Sequence, residues 1–213
     1  MKKSIKEYWN KYYSSHANND KPSNFAIFVS KRFVKKDTIL LDVGSGDGRD
    51  AFHHGKRAKS VLGIDLSDIA IKQNKMKVKR LEIDNIFFKN LSSNDLIKVN
   101  YKDINLIYAR FFLHAINEKD ENKFLKDIIK NFKKETLVAI EFRTLKDVLM
   151  KKGKKISTHE RLTDHYRRFI DPQVFEKKLI KMNFEILYRK LGINLSKSLN
   201  DNPHLCRLVF IKK

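Results

Sequence analysis

The chain has 213 residues, of which 41% are hydrophobic, so it can bury one core and is short for two. It carries a formal net charge of +21 and a single cysteine, Cys206, which excludes a disulfide framework or a thiolate zinc site within one chain; we expect no metal. The sequence has no apolar run of about 18 residues and no signal-peptide core at its start, which predicts one cytoplasmic domain over residues 1–213.

The positive charge is spread along the whole chain. Lysines occur in pairs such as Lys35-Lys36 and Lys133-Lys134, on segments that are otherwise amphipathic. A basic surface attracts phosphate backbones, but this scattered pattern is more typical of solvated faces than of a nucleic-acid footprint. We therefore expect neither a nucleic-acid nor a membrane partner.

The first 36 residues are rich in aromatic side chains and predict two helices between Ile5 and Phe33, with a polar loop at 18–23. The first helix offers Tyr8, Trp9, Tyr12, Tyr13 and His16. Helical spacing places several of these rings on one face. They either close an aromatic lid over a ligand or pack the helix onto the rest of the protein.

From Ile39 onward, short apolar runs alternate with amphipathic stretches, as in a mostly parallel sheet covered by helices on both faces. The predicted strands are Ile39–Val43, Ser60–Asp65, Asn85–Lys89, Ile104–Tyr108, Thr136–Phe142, Phe184–Lys190 and Cys206–Lys212. The predicted helices are Asp50–Lys56, Asp68–Glu82, Glu118–Asn131 and Asp171–Met182. The last two strands have no helix between them and predict an antiparallel hairpin. The fold class is therefore α/β, a single seven-stranded sheet with a C-terminal hairpin, and residues 145–169 form an irregular insertion.

A glycine turn follows the first predicted strand, where Leu40 to Asp50 reads LLDVGSGDGRD. Glycines there permit positive φ and let a ligand touch the backbone, and the helix that follows presents free amides at its positive dipole end. A dinucleotide-binding turn spaces its glycines as G-x-G-x-x-G. This turn reads G-x-G-x-G, with Asp42 two residues before the first glycine.

These features resemble the class I, Rossmann-like methyltransferases that depend on S-adenosylmethionine (SAM). The resemblance covers residues 37–145 and implies SAM as cofactor and S-adenosylhomocysteine (SAH) as product. The cofactor-binding residues that it implies are Asp42, Gly44, Ser45, Gly46, Asp65, Leu66, Asn90, Leu91, Ala109 and Arg110.

The resemblance gives each of these segments a role. The glycine turn surrounds the methionine part of SAM, and Asp42 helps to bind its ammonium group. Asn90 and Leu91 bracket the adenine, although Asn90 stands where an acid is commoner. The segment from Tyr108 to His114 passes beneath the adenine and the methyl donor, with His114 in the pocket floor or at a helix start.

Asp65 ends the second predicted strand. An ionised carboxylate at this position can accept hydrogen bonds from both ribose hydroxyls. The alternative is that Asp65 only caps the next helix, a role that Ser67 or Asp68 can also fill.

The acceptor site is expected beneath the helical lid, residues 1–36, and the insertion, residues 145–169. The residues predicted to act there are Tyr13, His165, Tyr166, Arg167 and Arg168. The adjacent arginines form a fork suited to a phosphate or carboxylate, to which Arg110 and Arg143 can add, and His165 is the predicted base. Alternatively, the arginines pair with Asp164, Asp171 or Glu141 in surface networks.

Two functional hypotheses follow. The first is SAM-dependent methylation of O or N on a small, anionic acceptor, phosphorylated or of the phosphoramidate type. Small stand-alone members of the family are frequent in gene clusters for surface polysaccharides, which by analogy suggests a capsule precursor. The alternative is an RNA-binding protein or RNA methyltransferase that uses the basic surface. We find no Asn-Pro-Pro-Tyr or Pro-Cys sequence of base-methylating enzymes, and no separate RNA-binding module.

Overall fold

The computed structural model describes residues 2–16, 20–99, 102–197 and 201–213. The α-helices are α1 Lys2–Ser15, α2 Asn24–Phe33, α3 Arg49–Gly55, α4 Asp68–Arg80, α5 Glu118–Asn131 and α6 Pro172–Lys181. The strands are β1 Ile39–Val43, β2 Ser60–Asp65, β3 Ile86–Asn90, β4 Leu106–Arg110, β5 Leu137–Arg143, β6 Lys154–Lys155, β7 Glu160–Leu162, β8 Tyr166–Arg168, β9 Phe184–Gly192 and β10 Leu205–Lys212. Within the described ranges, no helix is long and apolar enough to cross a membrane.

Seven strands form one sheet in the order β3-β2-β1-β4-β5-β10-β9. The first five strands in this order are parallel to one another, and β10 is antiparallel to both β5 and β9. The predicted α/β fold with its C-terminal hairpin is thereby confirmed. Strand β10 lies within the sheet, between β5 and β9, and its first six residues are buried. Strand β9 forms the edge of the sheet, and several of its residues are exposed.

The two faces of the sheet carry separate hydrophobic cores. Leu41 and Ile107 point into the core beneath α5 and α6. Leu40 and Tyr108, their neighbours in sequence, point into the core beneath α2 and α3. This alternation is the two-residue period of a strand covered on both sides. The carboxyl ends of β1, β2 and β4 lie at a common edge because these strands are parallel.

The two N-terminal helices differ in burial. Helix α2 is part of the protein body, since Phe25, Ala26 and Val29 are fully buried. Its N-cap, Ser23, donates through its backbone N–H and its hydroxyl to the Asp50 carboxylate, each at 2.7 Å. Helix α1 is only half-buried. Of the loop predicted at 18–23, residues 18 and 19 lie outside the described residues.

Residues 145–169 are more regular than the sequence predicts. Strands β6, β7 and β8 form a small antiparallel sheet, with Glu160 paired to Arg168 and Lys154 paired to Leu162. The prediction of an irregular segment was wrong because strands of two or three residues are too short to display a periodicity. We call residues 145–169 the flap.

Candidate active site

A cavity of about 970 Å³ lies over the carboxyl ends of β1, β2 and β4, and α1 forms its roof. This volume lies near the upper end of the usual range for ligand pockets. The part of the cavity wall at the edge of the sheet includes residues 44–47 of the glycine turn and the residues that follow β2, β3 and β4.

The three glycines of the turn all have positive φ: +75° at Gly44, +52° at Gly46 and +76° at Gly48. The N–H groups of Gly44 and Ser45 both donate to the Ile64 carbonyl, at 2.9 and 3.0 Å. A Cβ added at Gly48 would lie 2.7 Å from the Asn74 side chain. Glycine is therefore required on both conformational and steric grounds, and the turn is held rigidly against β2.

Asp42 is the most unusual group in the cavity wall. Its side chain is 2% exposed, and its Oδ2 atom has no hydrogen-bond partner among the described residues. Burial, together with the neighbouring carboxylates of Asp50 and Asp65, raises its pKa well above the usual range. An unpartnered buried carboxylate beside a ligand cavity suits a bound cation. The ammonium and sulfonium groups of SAM fit this requirement.

Asp65 stands at the junction of β2 and the glycine turn. Its Oδ2 accepts the Gly46 N–H at 2.9 Å, and its Oδ1 accepts the Ser67 N–H at 2.8 Å. The N-cap of α4 is Ser67, whose hydroxyl accepts the Ala70 N–H at 3.2 Å. Capping is thus performed by Ser67, and the remaining lone pairs of the Asp65 carboxylate can face the cavity, which this residue lines.

The other residues predicted to bind cofactor divide into two groups. Leu66, Leu91 and Arg110 line the cavity. Asn90 does not; its side-chain amide donates to the carbonyls of Asp65 and Leu66, at 3.1 and 2.9 Å. Ala109 is fully buried in the sheet and also lies outside the cavity wall.

Several cavity residues lie outside the segments predicted from the sequence, namely Ser92, Ser93, Asn94, Asp95, Asn117, Lys119 and Asp120. Most follow a strand directly, so their position at the carboxyl edge of the sheet was an available signal for finding them. Asn117 to Asp120 approach the cavity only because α5 begins there, which depends on the tertiary fold.

Helix α1 is fastened over the cavity by polar contacts. The Ser67 hydroxyl donates to Asn10 Oδ1 at 2.7 Å, and the Gln73 side chain donates to the Tyr13 carbonyl at 3.1 Å. The Tyr13 hydroxyl lies so close to the glycine turn that a Cβ at Gly46 would be 2.3 Å from it. Trp9, Tyr12, Tyr13 and His16 line the roof. The predicted aromatic lid thus faces the cavity.

The lid meets the flap at Tyr8. The Tyr8 hydroxyl donates to Asp164 Oδ2 at 2.8 Å and lies 3.0 Å from His165 Nδ1. Burial and the Arg167 guanidinium lower the pKa of His165 to about 4, so its imidazole is neutral at pH 7. The ring centroid of Trp9 lies 5.0 Å from that of His165. Trp9 lines the cavity, whereas His165 does not.

The four residues of the His165–Arg168 cluster do not converge on the cavity. Only Tyr166 lines it, with its hydroxyl donating to Glu160 at 2.5 Å. Arg167 pairs with Asp164 at the rim of the flap. Arg168 is buried, pairs with Glu121, and donates to the Ile116 carbonyl at 3.1 Å. The alternative of pairing with Asp164 thus describes Arg167, whereas Arg168 pairs with a buried carboxylate that the sequence did not suggest.

A cationic region lies behind the cavity wall at Phe111. The Cζ atoms of Arg110 and Arg143 lie 4.0 and 5.6 Å from the centroid of its ring. Burial, followed by the charges of Arg143 and Arg167, lowers the pKa of His114 well below its usual range. Phe111 has φ +56°, which is strained for an aromatic residue. Arg110 is balanced by Glu141, at 3.1 Å.

The cavity is acidic although the whole chain is strongly basic. Its charged lining comprises the carboxylates Asp42, Asp47, Asp50, Asp65, Asp95 and Asp120, and the cations Arg49, Arg110 and Lys119. A concave surface lined by one sign of charge concentrates ligands of the opposite sign. The glycine-turn end of the cavity is therefore suited to a cationic ligand.

Comparisons with known proteins agree with this geometry. The model of a family described as "Methyltransferase domain" matches residues 34–185. Solved structures with the same fold include a SAM-dependent methyltransferase from Methanosarcina mazei, with a TM-score of 0.72, 15% identity and coverage of 86% of this chain and 96% of that chain. A second, from Clostridium acetobutylicum, has a TM-score of 0.69, 14% identity and coverage of 99% and 98% of the two chains. A third, from Anabaena variabilis, has a TM-score of 0.71, 17% identity and coverage of 100% and 95%.

Proposed function

Since this chain belongs to the methyltransferase domain family, we propose that its cavity positions SAM and a small acceptor for methyl transfer. It is a SAM-dependent methyltransferase, and SAH is the product that it releases. When bound, SAM supplies a methyl group on a good sulfonium leaving group, so an in-line displacement requires mainly a positioned nucleophile. The task of the protein is therefore to hold both reactants and exclude water.

The observation that carries this proposal is the pair of carboxylates around the glycine turn. Asp42 offers an unpartnered oxygen to the ammonium end of the cofactor. Asp65, fixed by the Gly46 and Ser67 amides, offers its carboxylate to the ribose hydroxyls. Leu66 and Leu91 provide apolar walls for the adenine between them.

We propose that the acceptor binds between the lid and Phe111, on the side of the cavity that Tyr13 and Tyr166 line. The flap thus contributes to the acceptor site through Tyr166 and through the contact of Tyr8 with Asp164. Helix α2 belongs to the protein body, so the part of residues 1–36 that covers the cavity is α1. The acceptor is small because the lid and the flap close over the cavity.

An anionic acceptor is supported by the cations behind Phe111. Arg110 lines the cavity, and Arg143 and Arg167 act at longer range around His114. An anionic oxygen is a competent nucleophile without a general base. If the acceptor is instead a hydroxyl or an amine, His165 is neutral and can take a proton, provided that Trp9 and Tyr8 move aside. A phosphorylated capsule precursor rests on family analogy.

The cofactor is tested by titrating SAH into the protein in a calorimeter and by measuring the SAH-induced rise in Tm. Saturable binding with a rise in Tm is expected. A folded protein that shows neither would contradict the proposal.

The acceptor is tested by incubating the protein with methyl-labelled SAM and matched acceptors that differ in one phosphate group. Labelling of only the phosphorylated members is expected for an anionic acceptor. Equal labelling of the neutral members would contradict an anionic site and leave the cofactor assignment intact.

A further inference from the structure

Five segments of chain, joined by hydrogen bonds, form a rim along part of the sheet edge opposite the cavity: the turns before β1, β2, β4 and β5 and the end of β10. Lys59 N–H donates to the Thr38 carbonyl at 2.9 Å, which links the turns before β1 and β2. Ile39 N–H donates to the Asn105 side chain at 2.9 Å, which adds the turn before β4. Glu135 N–H donates to the Lys212 carbonyl at 2.8 Å, which links the turn before β5 to the end of β10.

This rim, which we call the amino-end edge, is densely cationic. Its cations are Lys35, Lys36, Lys56, Arg57, Lys59, Lys102, Lys133, Lys134, Lys212 and Lys213, and all but Lys212 are exposed. The same turns carry the carboxylates Asp37, Asp103 and Glu135, and the neighbouring turn before β3 adds Glu82 and Asp84. Scattered lysine pairs of the sequence are thus brought together by the topology of the sheet.

With the exception of Lys213, these cations have no carboxylate partner within the described residues, as is also true of many surface lysines elsewhere; what distinguishes them is that they lie close together along one rim. Within the described residues, the single ion pair at this edge joins Lys213 to Glu185 of β9. Around the cavity, by contrast, Arg110, Arg143 and Arg167 each pair with a carboxylate. Burial, followed by the nearby Lys134 ammonium, lowers the pKa of Lys212.

The amino-end edge is a nearly linear array. It spans β2, β1, β4, β5 and β10, and neighbouring strands lie about 4.8 Å apart, so the array is roughly 19 Å long. None of the exposed large hydrophobic side chains of the described residues lies in these turns. Stable attachment to a lipid surface normally requires such side chains in addition to charge, so a water-exposed polyanion is the better match.

We propose that the amino-end edge binds the phosphodiester backbone of a nucleic acid, without sequence preference. The unpaired ammonium groups neutralise phosphates and release counterions, which is the dominant source of such binding. This revises our expectation from the sequence that nucleic acid is not a partner. The cavity opens at the other end of the strands, so the bound nucleic acid is a docking surface for the protein and not its methyl acceptor.

The proposal is tested with a fluorescent 20-nucleotide single-stranded RNA and the matching DNA, using anisotropy at several salt concentrations. With about five phosphates neutralised, the slope of log K against log [salt] is expected to be about −3.5, or roughly a hundredfold loss of affinity between 50 and 200 mM salt. Similar binding of RNA and DNA is expected. A slope near zero would overturn the proposal.

Two charge-matched variants separate the edge from the net charge. The edge variant carries K36E, R57E, K133E and K134E. The control carries K72E, K75E, K126E and K177E, which change the charge equally at exposed positions away from the edge. At least a tenfold loss in the edge variant and a change within threefold in the control are expected. Equal losses would refute a defined surface and indicate diffuse attraction.

Two further measurements complete the test. Both variants should keep the SAH-induced rise in Tm, which shows that they fold and keeps the proposal independent of the methyltransferase assignment. If the edge variant does not fold, K133Q with K134Q replaces it, with at least a threefold loss expected. Edge-dependent binding to vesicles of anionic lipid without binding to RNA would assign the surface to membranes and overturn the proposal.

Discussion

Replacing Asp65 by Ala tests the cofactor site most directly. In the proposed complex, the ionised carboxylate accepts hydrogen bonds from two ribose hydroxyls. Hydrogen bonds to a charged group contribute about 1.5–3 kcal/mol each, so their loss costs about 3–6 kcal/mol. Since about 1.4 kcal/mol corresponds to a factor of ten, the Kd for SAH should rise roughly a hundredfold to ten-thousandfold.

The same loss is visible in thermal unfolding. At an SAH concentration of about 100 times the wild-type Kd, binding stabilises the native protein by about 2.7 kcal/mol. For a protein of this size, each kcal/mol shifts Tm by about 2–4 °C, so the wild-type Tm should rise by roughly 5–11 °C. In the Asp65→Ala variant, the rise should almost vanish at that concentration.

Two controls distinguish ribose binding from damage to the turn, because Asp65 also accepts the Gly46 and Ser67 amides. Asp68→Ala removes an exposed carboxylate three residues away, which pairs with Lys6 at 2.6 Å, and should leave the Kd unchanged. Asp65→Asn keeps one acceptor and should give an intermediate Kd. A Kd for Asp65→Ala within threefold of wild type, in a folded protein, refutes the ribose assignment.

Three other predictions concern the turn, its acid and the flap. Gly46→Ala forces a Cβ against the Tyr13 hydroxyl and strains a residue at φ +52°. The backbone strain alone should lower the free energy of unfolding, measured in urea, by about 1–2 kcal/mol. If the contact with Tyr13 lowers it further, adding Tyr13→Ala should restore that further part. The pKa of Asp42 is raised, so in the cofactor-free protein this carboxyl group stays protonated to a higher pH than usual. Binding of a cationic cofactor should therefore release a proton and become tighter as pH rises, which calorimetry in buffers of different ionisation enthalpy can detect. A pH-independent affinity with no proton release would contradict this. The effect on the stability of the cofactor-free protein has the opposite pH dependence. The raised pKa of Asp42 increases the free energy of unfolding at low pH, and this contribution is lost as pH rises through the folded-state pKa. Asp42→Asn should remove this fall in stability with rising pH. Arg168→Ala leaves Glu121, whose side chain is 1% exposed, without this partner and should destabilise the protein by about 3–5 kcal/mol. Arg167→Ala breaks a pair with Asp164, whose side chain is 57% exposed, and should cost less, about 1 kcal/mol; equal losses in chemical denaturation would count against the distinction.

The sequence alone determined the order of the elements and the cofactor class. Strands β1 and β2 and helix α5 have the predicted bounds, because each has a periodicity or a cap that is visible within a few neighbouring residues. The glycine turn, with Asp42 before it and Asp65 after the next strand, carries its own conformational requirement. Such local signals do not depend on how distant segments pack.

Only the tertiary structure decided which polar side chains face the cavity. Arg167 and Arg168 are adjacent in sequence, yet one pairs with Asp164 at the rim and the other with buried Glu121 on α5. A carboxylate 47 residues away in the chain gives no signal at Arg168. Asn90 likewise turned to the carbonyls of Asp65 and Leu66, because a flexible polar side chain takes whichever partners the fold brings within reach.

The same limit applies to charge. The lysine pairs at 35–36 and 133–134 are nearly a hundred residues apart and look like ordinary solvated faces, but parallel strands start at a common edge and bring these pairs onto one rim. Composition determined that the protein is basic. The topology of the sheet determined that its cavity is acidic and that one group of its cations is brought together at the opposite end, because electrostatic fields depend on distances that the sequence does not contain.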